Sequence, residues 1–291
     1  MKPIFRVAVI EVTRLLALVA GATSAFLLTA FSISLINIPY SLIYGPLPFE
    51  EWQVTAFAVA IAVAPAVFVA YVPSFAASGF DIRISARRLS QREKNLVAKV
   101  EEVLQARAEE TGIKLPQIVW RVQDIGEINA MAYAHNRVCF TKGILHKYGD
   151  TQAGIERLAG VAAHEIGHLR NWDTRIHMFL HYLNLPVNFG IGLANATINR
   201  IPIAGLIFTV ATVLFRIPCD IAYFLNESTS QLREYQADRF AARLMNGIGL
   251  SEFLDDLTHQ DDLQGDTFTA WMMRSHPPTE LRHDELAKVS K

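Results

Sequence analysis

Two long stretches of this 291-residue chain carry no charged side chain, and they restrict its possible folds more than anything else in it. The first runs from Leu15 to Tyr40, behind Lys2, Arg6 and Arg14; the second runs from Val54 to Phe80. A helix rises about 1.5 Å per residue and the hydrocarbon core of a bilayer is about 30 Å thick, so about 20 apolar residues suffice to cross it. Both stretches exceed that. Pro65 and Pro73 fall within the second, which membrane helices tolerate. A cleaved leader does not fit the first: its apolar run is too long, and no Ala-x-Ala site ends it. The connection between the runs has Glu50 and Glu51 but neither Lys nor Arg, whereas Arg83, Arg87, Arg88, Arg92 and Lys94 follow the second. The positive-inside rule then places the N-terminus and everything after Arg83 in the cytoplasm.

Only 19% of the residues are charged, against about 25% in soluble domains. A net charge of −1 with no basic stripe argues against a nucleic-acid partner. Cys139 and Cys219 are isolated and suggest neither a disulfide framework nor a C-x-x-C metal site.

The segment after the first hairpin reads as a folded domain. Ser90 and Glu93 form an S-x-x-E capping box, the apolar series Leu96, Val97, Val100, Val103, Leu104 and Ala108 has helical spacing, and Gly112 is a natural stop. Gln117–Val122, Ile128–Tyr133 and Arg137–Thr141 read as strands, with His135 a solvated turn residue between the last two. Asp150 or Thr151 then caps a helix whose apolar positions Ile155, Leu158, Val161 and Ala162 would lie on the sheet.

That helix carries His164-Glu165-Ile166-Gly167-His168. Residues four apart on an α-helix differ by about 40° in direction, so both imidazoles leave one face and can take two corners of a zinc tetrahedron. Glu165 falls beside the position where a metal-bound water would lie. Catalytic zinc sites use three protein ligands, and a third must come from elsewhere. Downstream, Glu234 and Asp238 sit four apart on one side of a second helix, with Phe240, Leu244 and Met245 on its buried side. One carboxylate can bind the metal while the other hydrogen-bonds a ligating imidazole.

His164-Glu165-Ile166-Gly167-His168 followed by Asn171 and Asp173, then Glu234-Tyr235-Gln236-Ala237-Asp238, resembles the HtpX-type membrane zinc metalloproteases, relatives of the CAAX prenyl proteases. Asn129-Ala130 ahead of Val138–Leu145 resembles the family's N-A strand segment, and Ser275-His276-Pro277-Pro278-Thr279-Glu280 with Arg282 resembles its S/T-H-P-P-T-E segment. The blocks keep the family's order over most of the chain. The resemblance implies one Zn2+ per chain on His164, His168 and Glu234, with Glu165 as general base and Asp238 behind the ligands. It also implies that Asn129 and Ala130 pair with the substrate backbone and that His276 lies near the reacting centre, able to steady a tetrahedral intermediate. Asn171 and Asp173 read as structural.

Between the two metal-binding helices lie Phe179–Ile198 and Ile201–Leu225. They are apolar overall, yet carry His181, Asn184, Asn188, Asn195, Arg216 and Asp220; Arg216 and Asp220 are spaced to pair. The family has a second hairpin here, which either crosses the bilayer or lines a groove at its surface; full crossing, favoured by its length, makes four crossings and returns Glu234 to the side of His164. His177 and His181 mimic a metal spacing but lack a flanking Glu, and read as interfacial or packing residues.

The expected fold is mainly α with a small β-sheet: four membrane helices plus a zincin-like cytoplasmic metalloprotease domain. Residues 1–80 would be the first hairpin, 176–229 the second, and 81–175 with 230–291 the catalytic domain. The expected function is a zinc endopeptidase of the bacterial inner membrane, acting on damaged or misfolded membrane proteins. Alternatives are a processing protease for one defined or lipidated peptide, and a membrane scaffold that keeps zinc for structure.

Overall fold

The first apolar run lies within one long helix, α1 (Pro3–Tyr44), which starts well before Leu15 because nothing between Pro3 and Leu15 breaks it. The computed structural model describes residues 3–45, 48–198, 202–245, 249–254 and 282. Helix α2 (Glu51–Tyr71) opens with the Glu50 backbone N–H donating to Gln53 Oε1 at 2.9 Å. Among the described residues, α1 and α2 are the two helices long and apolar enough to cross a membrane.

The second run does not continue as one helix to Phe80. It stops at Val72 (φ −121°, ψ 63°), and Pro73 begins a separate helix, α3 (Pro73–Arg83). Proline lacks the N–H that would continue the ladder, and its ring keeps the preceding residue out of the helical region.

Beyond α3 come β1 (Ala86–Arg87) and α4 (Gln91–Thr111). The Ser90–Glu93 capping box forms as expected, and Gly112 ends α4 at φ +67°, a conformation that glycine adopts without cost. Strands β2 (Val119–Gln123), β3 (Ala130–Tyr133) and β4 (Arg137–Thr141) follow, then α5 (Lys142–Tyr148) and α6 (Gln152–Arg170). Thr151, not Asp150, caps α6, accepting from the Gly154 N–H. The remaining helices are α7 (Asp173–Leu183), α8 (Leu185–Ile198), α9 (Pro202–Ser228) and α10 (Ser230–Met245).

The chain divides into two units, residues 1–72 with 176–229, and 73–175 with 230–291. In the first, α1 buries small residues such as Ala17 and Ala25, which allow helices to approach closely. Ser24 Oγ donates to the Phe215 carbonyl, and Arg216 Nε pairs with Asp220 Oδ2 at 3.1 Å. Helix α8 has 14 residues and so spans about 21 Å, short of the about 30 Å hydrocarbon core.

The second unit contains a mixed sheet in the order β1-β2-β4-β3. Strand β2 runs parallel to β4, and β3 pairs antiparallel with β4 at the sheet's edge. Val100 and Leu104 of α4, Val122, Val138 and Phe140 of the sheet, Leu158 and Ile166 of α6, and Leu244 of α10 form one core. Helix α6 is at its centre and is buried from Gly154 to Gly167 except at Glu156 and Arg157. Strand β1 and helix α5 have no counterpart in the sequence reading. β1 is two residues long, and α5 is a seven-residue helix started by Thr141 Oγ1.

Candidate metal centre

His164 Nε2 and His168 Nε2 lie 3.2 Å apart. Across from them, Glu234 puts Oε2 3.4 Å from His164 Nε2 and Oε1 3.3 Å from His168 Nε2. Four ligands about 2.0–2.1 Å from a tetrahedral zinc ion lie about 3.3 Å from one another, and each Nε2 has about that separation from the other and from one of the two Glu234 oxygens. The donor set, two imidazoles and a carboxylate, is one that zinc takes. Among the described residues, this trio is the one group of His, Cys, Asp and Glu side chains close enough to share an ion.

Close packing of two helices makes the cluster. A Cβ on Gly167 would sit 2.8 Å from Ala237 Cα, and one on Gly160 would sit 2.5 Å from the Leu250 backbone nitrogen. These glycines, seven residues apart on α6, therefore let α10 and the turn after it pack against α6 at backbone distance. Glu234 and Asp238 then project toward the two imidazoles.

Each imidazole is held from behind by a carboxylate. Asp238 Oδ1 lies 2.8 Å from His164 Nδ1, and Asp173 Oδ2 lies 2.8 Å from His168 Nδ1. Both contacts place the ring proton on Nδ1 and leave Nε2 for a metal. Burial disfavours the charged form of each ring, but the neighbouring carboxylates outweigh it and raise both pKa values, that of His168 well above its usual range. The Asp173 contact corrects the reading of that residue as merely structural. It depends on Trp172, a non-glycine residue at φ +66°, which turns the chain sharply after Asn171. Such a conformation costs about 1–3 kcal/mol and persists only where the surroundings enforce it. No periodicity in the sequence marks that turn.

Arg282 completes the layer. Its Nε and Nη2 donate to Asp238 Oδ2 and Oδ1 at 2.9 and 2.7 Å, and Nη2 is 3.8 Å from Glu234 Oε2. Burial alone would push the Asp238 carboxyl up, but the charge and hydrogen bonds of Arg282, together with His164, outweigh it and hold it at about 2. In the sequence, Arg282 stood out only as part of a motif. His276, in the same motif, lies outside the described residues, as does the turn at Asn199-Arg200.

Glu165 does not face open solvent. Its Oε2 accepts the Ala132 backbone N–H of β3 at 2.6 Å. The ladder explains why that N–H is available. Thr141 N donates to Asn129 O, so opposed residues alternate, and Ala130 and Ala132 turn their backbone groups away from β4. The Ala130 N–H is taken by Asn129 Oδ1 at 2.8 Å. Ala130 thus begins an edge strand whose Ala130 and Ala132 carbonyls point outward, and Asn129 immediately precedes it. His135 is half-buried, not fully solvated as expected, in the turn between β3 and β4, and it is not in the metal cluster. His177 and His181 are not in it either. Cys139 and Cys219 are both buried free thiols.

The chain is similar to known proteins. The model of peptidase family M48 matches residues 90–290. The proteins named protease HtpX from Shewanella frigidimarina (strain NCIMB 400), Shewanella halifaxensis (strain HAW-EB4) and Shewanella baltica (strain OS185) are each 29% identical over 213 residues. The match covers 62% of this chain and 70% of theirs.

Proposed function

The chain belongs to peptidase family M48 and is an HtpX-type metalloprotease, and from that premise we propose that it is a membrane-bound zinc endopeptidase. The observation that carries the reading is the 3.2–3.4 Å spacing of the two Nε2 atoms and the Glu234 carboxylate. His164, His168 and Glu234 would hold one Zn2+, which when bound acidifies a water and polarises the scissile carbonyl. Asp238 and Asp173 keep the ring protons on Nδ1. Glu165 accepts the water's proton and delivers it to the leaving amine, with no covalent intermediate on the protein. Its hydrogen bond to Ala132 aims the carboxylate across the edge strand.

An extended substrate adds to the open edge of β3, its N–H groups meeting the Ala130 and Ala132 carbonyls, so that backbone and not sequence is recognised. Asn129 assists by fixing the Ala130 N–H. Broad recognition of unfolded chain suits misfolded or damaged membrane proteins as substrates.

Helices α1 and α2 support membrane attachment, and the Arg and Lys residues that follow α2 support a cytoplasmic catalytic domain. In this reading 176–229 forms a second hairpin at the membrane that returns Glu234 to the side of His164. Residues 81–175 and 230–291 then make up a zincin-like domain on the inner face of a bacterial plasma membrane.

The test is metal analysis with casein cleavage on the purified full chain. Wild type should bind one zinc and cleave, and chelation should stop it; Glu165→Gln should keep the zinc and lose cleavage by about 10²-fold or more. Undiminished cleavage by Glu165→Gln would falsify the assignment of the base.

A further inference from the structure

Strand β3 has a neighbour on one side only and is four residues long. Such a strand frays unless its ends are fastened. At its start, Thr141 Oγ1 accepts the Asn129 N–H at 3.0 Å and lies 2.5 Å from the Glu127 carbonyl. At its middle, Ala132 is tied to Glu165. At its end, the Tyr133 hydroxyl donates to Asp81 Oδ1 at 2.5 Å.

Asp81 does more than accept one hydrogen bond. Its Oδ2 takes Arg121 Nε of β2 at 3.1 Å and pairs with Arg137 of β4, the residue opposite Tyr133 in the ladder. Arg137 Nη1 in turn donates to the Ala77 carbonyl of α3 at 2.8 Å. One carboxylate on α3 therefore fastens three adjacent strands at the Tyr133 end of β3. The Asp81 and Arg137 side chains are 17% and 9% exposed, so the pair is largely shielded from water and salt. Burial would raise the Asp81 carboxyl, but the hydrogen bonds from Tyr133, Arg137 and Arg121 outweigh it and keep it ionised below the usual range.

The start of the strand is held by a hydroxyl and its middle by Glu165, whereas the Tyr133 end is held by a carboxylate outside the metal cluster that ties it to β2, β4 and α3 at once. The strand must keep its place while the substrate lies along it. We propose that Asp81 is a positioning residue for substrate binding, holding the Tyr133 end of the edge strand in register. The inference rests on the endopeptidase reading and on substrate pairing along β3.

Asp81→Asn keeps an acceptor for Tyr133 and removes the charge that faces both arginines. With the full chain in detergent and an eight-residue quenched fluorescent peptide, KM should rise about tenfold while kcat stays within about twofold. Zinc content should remain that of wild type, and Asp81→Glu should recover part of the loss. Amide exchange should quicken in residues 129–134 and stay slow in α6. If Asp81→Asn loses the fold, Tyr133→Phe removes one hydroxyl and is read the same way. Unchanged KM and unchanged exchange at 129–134, in a folded zinc-loaded variant, would overturn the proposal and leave the hydrolytic reading standing. Cleavage that survives Glu165→Gln would instead refute the hydrolytic reading, whatever Asp81 does.

Discussion

Gly167 gives the sharpest test of how the metal site is built. The Cβ of Gly167→Ala would meet Ala237 Cα at 2.8 Å, the Ala237 carbonyl oxygen at 3.1 Å and Ala237 Cβ at 3.2 Å. Contact without strain begins near 3.4 Å, so α10 must withdraw by roughly 0.6 Å. Glu234 lies three residues before Ala237, on the same face of α10, and moves with it. Metal–ligand distances tolerate about 0.2 Å, so the shift exceeds the tolerance about threefold. The effect on the fold is smaller. Overpacking costs about 1–3 kcal/mol, and alanine returns about 1 kcal/mol of helix propensity. The variant should therefore remain folded, with melting lowered by a few degrees, while zinc affinity in a chelator competition falls at least tenfold. Adding Ala237→Gly should rescue little, because the nearest atom is backbone Cα. A folded Gly167→Ala chain with wild-type zinc affinity and casein cleavage would refute the view that this close approach sets the ligand geometry.

Other outcomes follow from the layer behind the ligands. Asp173→Asn removes the charge facing His168 Nδ1 and should weaken zinc binding about 10–100-fold with little change in melting, checked by the same competition. Arg282→Met leaves Asp238 buried without its bidentate partner and should destabilise the metal-free chain by about 3–5 kcal/mol, read by denaturant unfolding. Arg282→Lys should recover only part, since an ammonium cannot span both oxygens. Glu93 is held at about 2, against an ordinary 4.5, chiefly by its hydrogen bonds from Arg87. A depressed carboxyl stabilises the fold above its unfolded pKa and loses that contribution as pH falls through the folded value. Melting of the chelator-treated chain should therefore drop between pH about 4.5 and 2, and Arg87→Ala should flatten that drop.

The sequence by itself determined what depends on local chemistry. Two uncharged stretches imply membrane-length helices, Ser90 with Glu93 starts α4, and Gly112 ends it, because these outcomes are set within a few residues. The four-residue spacing on α6 puts two imidazoles on one face by helix geometry alone. That Glu234 completes the trio followed from resemblance to a family. The rest required distant segments to meet. Gly167 and Gly160 look like weak points of a helix in one dimension and are sites of backbone contact in three. Asp173 reaches His168 only through the left-handed Trp172, whose identity does not announce that conformation. Arg282 finds Asp238 across 44 residues, Ala132 finds Glu165, and Asp81 finds three strands at once. Such pairings depend on chain topology and on the cost of burying an unpaired charge or N–H group, neither of which is written in local sequence periodicity.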